Sequence, residues 1–486
     1  MKSFTDLSGK KFISQADDYF LAKKEFINEY PDYFLTESID DLRNDDYSIL
    51  DQQGHVYLDF TGAGLYGESQ VITHTNLLRK QVFGNPHSSN PTSENTNSLV
   101  TNARRTVLDF LNADPEEYVC IFTQNASGAL KLVGESYPFV ENSKFLLTYD
   151  NHNSVNGIRE FARSKGSHIV YVPMVTPEMR LDSNELMIQL ELVDIKKDNL
   201  FAFPAQSNFS GVKHPLSWIS IAQNLGWDVL LDAAAFLPTN PLDLSIYHPD
   251  FVTLSFYKIF GYPSGVGALI AKRNALSKLK RPWFAGGTIT VASVQGDRHY
   301  LHVGPEGFED GTLNFLNLPA IEIGVQQIRK IGYSMIQSRI GILTEWLLIK
   351  LSEKKHDNGT ALLQIYGPIE MIDRGGTIAM NFFDNNGHFI DHNIIEKLAN
   401  SRNISIRTGC FCNPGDGEMA LGISKKEMNT CFSMKQQLEY QDLQYCIDDK
   451  STGAVRISLG LVSNFADVYK FLKLTEELKN KSILEL

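Results

Sequence analysis

Cysteine is scarce: five in 486 residues, at positions 120, 410, 412, 431 and 446. An odd number at irregular spacings does not make a disulfide framework. Cys410 and Cys412 also lack the C-x-x-C spacing and second pair of zinc sites, so no metal is expected. Positive charge is in deficit, 45 Lys and Arg against 57 Asp and Glu, for a net charge of −12. That argues against nucleic acid or an anionic membrane as the main partner. No apolar run approaches the length of a transmembrane helix. The start, "MKSFTDLSGKKFISQADDYF", has no apolar core segment and no small-residue cleavage site, so no secretory signal is expected and the cytoplasm is the expected compartment. Internal repeats and low-complexity tracts are absent as well.

What is present is an ordinary globular composition, 43% apolar and 21% charged, in a chain long enough for a large core. Strand-length apolar runs recur at "YVCIF" (118–122), "KFLLTY" (144–149), "LFAFPA" (200–205), "DVLLDAAA" (228–235), "FVTLSF" (251–256) and "GVGALIA" (265–271). Helical patterns such as "SGALKLVGESY" (127–137) and "PLSWISIAQNLG" (215–226) lie between them. This alternation predicts an α/β layer with a mainly parallel sheet. From Pro319 the period changes. Ile321, Val325, Ile328, Ile331, Met335, Ile340, Leu343 and Leu347 predict one long amphipathic helix. Strand patterns at 377–383, 404–409 and 454–460 then predict a second, smaller α+β domain, with the polar stretch 413–452 read as an insertion.

Ligands of open α/β sheets bind beyond the carboxyl ends of the strands, so the loops there are read first. "TQNASGAL" leads into a helix and offers backbone N–H groups and the Ser127 hydroxyl to an anion. His152 in "DNHNSVNG" and Asn208 in "QSNFSG" fall at the same edge. Asp232 ends an apolar strand and is followed by three alanines, a costly place for a carboxylate without a cationic partner. Lys258 lies in an otherwise apolar stretch, where desolvation makes an amine nucleophilic and able to form a Schiff base. A strand-end Asp, a strand-end Lys and a phosphate-type helix start together suggest pyridoxal 5'-phosphate. Asp232 would meet the pyridinium nitrogen, Lys258 the aldehyde carbon, and Ser127 the phosphate.

The chain resembles the class V (fold type I) pyridoxal-phosphate enzymes, specifically the cysteine desulfurases and the amino-terminal desulfurase domain of molybdenum cofactor sulfurases. The likeness rests on "YLDFTGAGLYGESQV" (57–71), "GNPHSSNPTSENT" (84–96), "QSNFSGVKHPLSWI" (206–219), "LSFYKIFGYPSGVGALI" (254–270), "FEDGTLNFL" (308–316), "RTGCFCNPG" (407–415) and "TGAVRISLG" (452–460). It implies a large cofactor domain over 55–318, a linking helix and small domain over 319–486, and a segment 1–54 packed with the small domain. It also implies roles: Lys258 as the cofactor lysine, the Ala126-Ser127 turn and Ser255 as phosphate contacts, and His152 stacked on the ring and moving protons. Asn208 falls beside the ring hydroxyl and Asp232 at the pyridinium. Thr312 matches a residue reaching the phosphate of a neighbouring subunit, which implies a homodimer. Cys412, not Cys410, matches the persulfide-forming cysteine. Arg407 and Arg456 match arginines around the substrate, with Arg456 binding its carboxylate. Ala235 and Tyr257 replace the Gln and His of many desulfurases, as in the molybdenum cofactor sulfurase branch. No acceptor domain of the kind found in those sulfurases follows before Leu486, so the sulfur acceptor stays open.

The implied reaction removes sulfur from L-cysteine, giving alanine and a persulfide on Cys412. Lys258 takes the α-proton, and Arg407 helps to hold Cys412 as thiolate. The alternative is another class V reaction on a different amino acid, by a lyase, an epimerase or an aminotransferase-like enzyme, with Cys412 incidental. Cys410 and Cys412, two apart, would share a face if that segment were a strand.

Overall fold

In the computed structural model, which describes residues 15–86, 88–434, 442, 446, 447 and 451–486, the apolar runs form a seven-stranded sheet. Its order is Tyr118–Thr123, Gly267–Lys272, Phe251–Ser255, Asp228–Asp232, Leu200–Pro204, Lys144–Thr148 and His168–Val172. Only Gly267–Lys272 runs antiparallel to its neighbours. The runs are continuously apolar because both faces are covered. Phe201, Phe203, Val229 and Leu231 enter one core, while Leu200, Ala202, Leu230 and Phe251 enter the other. The α/β class and mainly parallel sheet agree with the sequence reading.

The helix read as continuous from Pro319 is two helices, Pro319–Ile331 and Tyr333–Ser352. Gly332, at φ 83, makes the break in a conformation that other residues adopt at a cost. The apolar period carries on past it, which is why spacing alone joined the two. Beyond lies a mostly antiparallel sheet ordered Leu363–Tyr366, Thr377–Phe383, Ala454–Ser458 and Arg407–Gly409, with Phe389–Ile390 also paired to Thr377–Phe383.

The N-terminal helices Gln15–Glu29 and Ser38–Asp46 pack on this half of the molecule. Phe26 stacks on Phe465 at 4.5 Å and meets Trp346 edge-on at 5.7 Å. Arg339, fully buried, holds the segment: Nε donates to Thr36 Oγ1, Nη1 to Tyr33 Oη and Asp40, and Nη2 to Thr36 O and Asp40.

Two expectations change. Cys431 and Cys446 form a disulfide across 15 residues of the supposed insertion, although cysteine spacing along the chain gave no sign of pairing. The start of that stretch is also not a polar excursion. Asn413 and Asp416 are both completely buried, and helices Pro414–Ala420 and Lys425–Met434 follow. Among the described residues, no helix is long and apolar enough to cross a membrane, and no cluster of His, Cys, Asp and Glu could hold a metal.

Candidate active site

Six parallel strands end at one edge of the large sheet, and the loops leaving five of them carry Ser127, His152, Asn208, Asp232 and Lys258. Strand Tyr118–Thr123 leads into helix Ala126–Ser136, capped by Asn125, whose side chain accepts from Gly128 N–H at 2.9 Å. Ser127 is therefore not the cap. Its Oγ pairs with Ser154 Oγ at 2.6 Å, while Ala126 N–H donates to Ser255 Oγ at 2.9 Å. Hydroxyls and N–H groups gathered at a helix start suit a phosphate.

Asp232, 7% exposed, uses Oδ1 to accept from Ala234 N–H at 3.0 Å and from the Thr253 hydroxyl at 3.4 Å. Its Oδ2 makes no hydrogen bond among the described residues, so one carboxylate oxygen remains for a pyridinium N–H. Lys258 sits in the one-turn helix Phe256–Phe260 directly after strand Phe251–Ser255. Burial lowers its pKa; Arg456 adds to that, while Asp232, Cys412 and Asp59 oppose it. Burial also lowers the pKa of His152, again with Lys258 and Arg456 adding and Asp232 opposing. These residues share one electrostatic neighbourhood, although they lie far apart in sequence. His152 Nδ1 accepts from Ser154 N–H at 3.1 Å, so the neutral ring carries its proton on Nε2.

The second sheet supplies the cations. Arg407 and Arg456 stand directly opposite each other on antiparallel strands, where like charges repel. Asp59 resolves the repulsion. Its Oδ1 lies 2.9 Å from Arg456 Nη2, and its Oδ2 lies 3.0 Å from Arg407 Nε. Arg456 is 3% exposed; Nη1 donates to Asn208 O at 2.9 Å, and the guanidinium lies 4.8 Å from the Phe411 ring centre. Its Nε, also buried, has no hydrogen-bond partner.

The loop bearing Cys412 is strained and heavily anchored. Phe411 and Cys412 both sit at φ 55, a left-handed conformation costing roughly 1–2 kcal/mol per residue. Contacts to the large sheet's loops hold it there. Phe411 packs on Phe209 at 5.2 Å, and its carbonyl accepts from Asn208 Nδ2 at 2.8 Å. The Cys412 carbonyl accepts from Asn153 N–H at 2.7 Å. Asn413 Nδ2 donates to Asp150 O and to Asn208 Oδ1, and Asp416 Oδ2 accepts from Ser207 Oγ at 2.7 Å. A β-carbon on Gly415 would collide with the Tyr149 carbonyl, so only glycine lets the loop approach this closely. Burial raises the Asp416 pKa well above the carboxylate range, and the nearby charge of Asp150 raises it further. The segment is a turn, not a strand, so the face-sharing expected of Cys410 and Cys412 does not follow. Both thiols are exposed.

Of the residues singled out in the sequence, Ser127, His152, Asn208, Asp232, Ser255, Lys258, Arg407, Cys412 and Arg456 converge. Thr312 does not; it is exposed on a groove shared with Gln124 and Gly128. Residue-type reasoning missed Asp59, Ser154, Asn413 and Asp416. Asp59 lies inside "YLDFTGAG", and the acid in that apolar setting was the available signal.

Comparison with known proteins fits this geometry. The aminotransferase class-V family model matches residues 56–471. The chain belongs to this family. Class V enzymes use pyridoxal phosphate, and the Lys258, Asp232 and Ser127–Ser255 arrangement has the donor chemistry that this cofactor needs. Molybdenum cofactor sulfurase of Solanum lycopersicum is 37% identical over 470 residues, covering 90% of this chain and 57% of the relative. The Homo sapiens molybdenum cofactor sulfurase is 36% identical over 459 residues, covering 90% and 51%. The chain thus spans about half the length of the curated relatives it matches. An apo cysteine desulfurase from Thermococcus onnurineus superposes with a TM-score of 0.72 at 24% identity, covering 92% of this chain and 98% of its own. This class V chain therefore carries the cysteine desulfurase fold.

Proposed function

We propose that the chain is a pyridoxal-phosphate-dependent cysteine desulfurase-like enzyme. It takes sulfur from L-cysteine, releases alanine and holds the sulfur as a persulfide on Cys412 for an acceptor. The observation that carries this reading is the anchored loop: Cys412 is stitched beside His152 through Asn153 and shares the electrostatic neighbourhood of Lys258.

When bound, pyridoxal phosphate supplies an electron sink for the substrate's α- and β-carbons. Asp232 would hold its ring nitrogen, and Ser127, Ser255 and the Ala126 N–H that now bonds Ser255 would hold its phosphate. Arg456 binds the substrate carboxylate, assisted by Arg407 and by Asn208. Desolvated Lys258 Nζ takes the α-proton, because a lowered pKa leaves its neutral form accessible. Neutral His152 keeps a proton on Nε2 beside it. The Cys412 thiolate then attacks the substrate sulfur. The new S–S bond forms as the Cβ–S bond breaks; Cβ keeps the electron pair and takes a proton to become the methyl group, and Lys258 returns a proton to Cα to complete alanine.

The homodimer belongs to the same proposal. Thr312 would reach the partner's phosphate, and exposed Trp283, Val291, Val294, Tyr300 and Val303 lie on or beside the hairpin Ile289–Ser293/Arg298–Leu301. Molybdenum cofactor is the candidate sulfur acceptor suggested by the relatives.

Cys412→Ala tests the reading. Sulfide and alanine formation should fall to background while the near-visible absorbance of bound cofactor remains. Unchanged turnover would sink the assignment of Cys412 and favour a reaction without a protein thiol.

A further inference from the structure

We infer that Asp59 sets the charge specificity of the amino-acid site, selecting substrates with one carboxylate and turning away dicarboxylic amino acids. The inference rests on the reading that Arg456 takes the substrate carboxylate.

Two guanidinium groups face this corner, Arg407 and Arg456, held opposite each other by strand register. Asp59 touches both. One negative charge against two positive ones leaves a single cationic charge for the ligand. Of the other charged groups in the neighbourhood, Asp232 and Lys258 would be engaged by the cofactor, and Cys412 as thiolate would add negative charge beside Arg407 and oppose a second carboxylate further.

A purely structural ion pair explains less. Arg407 has half its side chain exposed, and such pairs contribute little to stability. Arg456 is buried, and buried guanidinium groups in structural networks are normally fully hydrogen-bonded. Each of the three nitrogens of Arg339 has a partner, whereas Arg281, ion-paired to Asp310, shares an unpartnered Nε with Arg456 but lies away from the strand pair bearing Arg407. At Arg456, Asp59 occupies Nη2, Asn208 O occupies Nη1, and buried Nε is open. Asp59 and Asn208 O thus hold the two terminal nitrogens and leave Nε as the unused donor, which with the second Nη2 hydrogen can bind a carboxylate in two-point fashion. A second carboxylate on the ligand would meet Asp59 with its counter-charges already engaged, and like charges close together are strongly unfavourable.

The test uses the holoenzyme and two amino acids that carry no sulfur, L-alanine and L-aspartate, with binding measured by calorimetry. Wild-type protein should bind L-alanine more tightly than L-aspartate; parity or a preference for aspartate overturns the inference without any variant. Asp59→Asn, of the same shape but neutral, should shift the alanine-to-aspartate affinity ratio toward aspartate by about tenfold or more. Asp59→Glu should restore much of the wild-type ratio. A structural role alone would lower the unfolding temperature or weaken both ligands equally; a ratio unchanged in a folded Asp59→Asn protein overturns the inference. Because neither ligand can be desulfurated, failure of the sulfur chemistry and failure of this inference register in different measurements.

Discussion

Two buried arginines in this chain have matching surroundings and different ends. Arg339 and Arg456 are each almost fully enclosed, each lies over an aromatic ring, at 4.2 Å for Tyr33 and 4.8 Å for Phe411, and each pairs with an aspartate. Arg339 has every nitrogen satisfied by residues of the N-terminal segment. Arg456 keeps one nitrogen open, and its aromatic neighbour sits in a strained loop. Arg281 also has a buried Nε without a partner, so the unspent donor of Arg456 takes its meaning from the strained Cys412 loop and the site residues around it.

The sharpest way to break this contrast is to exchange the effects. Arg456→Gln should lower kcat/KM for L-cysteine by about 10²–10³-fold in the folded protein, as expected when a charged positioning contact is lost, beyond the stability lost because buried Asp59 then keeps only Arg407 as a partner. Arg339→Gln should leave kcat/KM near normal in the folded fraction and cost about 1–3 kcal/mol of stability, because the buried Thr36 and Tyr33 oxygens lose their donor. Urea unfolding and steady-state sulfide assays of both variants decide it; normal kcat/KM in folded Arg456→Gln, or an equal loss in folded Arg339→Gln, would erase the distinction.

Next in size is Gly415→Ala. The added methyl group has no room against the Tyr149 carbonyl, so the Cys412 loop must shift. Turnover should fall by about 10²-fold, as misplacement by about an ångström can produce, with cofactor absorbance retained. Normal turnover would show that the loop's close seat is not needed for the reaction.

The smallest effect is a pH dependence. Burial and Asp150 raise the Asp416 pKa in the folded protein. The carboxyl therefore stabilises the fold fully below its unfolded pKa of about 4, and that contribution is lost as pH rises through the folded value. Asn cannot titrate, so Asp416→Asn should gain stability relative to wild type as pH rises above about 4. Urea midpoints at several pH values test this, and parallel profiles would contradict it.

The two arginines also show what was legible in the sequence. The parallel sheet was, because strands buried on both faces read as unbroken apolar runs. Asp232 and Lys258 stood out for the same reason, as charges in apolar stretches where burial demands a partner. Arg456 and Cys412 were found only through resemblance to known enzymes, since a strand arginine and an exposed thiol look unexceptional by themselves. Asp59 was overlooked because its partners lie more than three hundred residues away. The seat of Asn413 and Asp416 was hidden by their polarity: polar residues read as surface unless a buried network is known to receive them. Gly332 was missed because the apolar period continues past the break, and the Cys431–Cys446 disulfide because spacing does not reveal which thiols meet.

The central claim is that sulfur passes from substrate to Cys412. The most direct measurement is peptide mass analysis of holoenzyme after a single turnover of L-cysteine, with and without a reductant. The account predicts one added sulfur atom on the peptide containing Cys412, removed by the reductant, absent in Cys412→Ala and still present in Cys410→Ser. Alanine formation with no added sulfur on that peptide, or with the sulfur retained in Cys412→Ala, would contradict it.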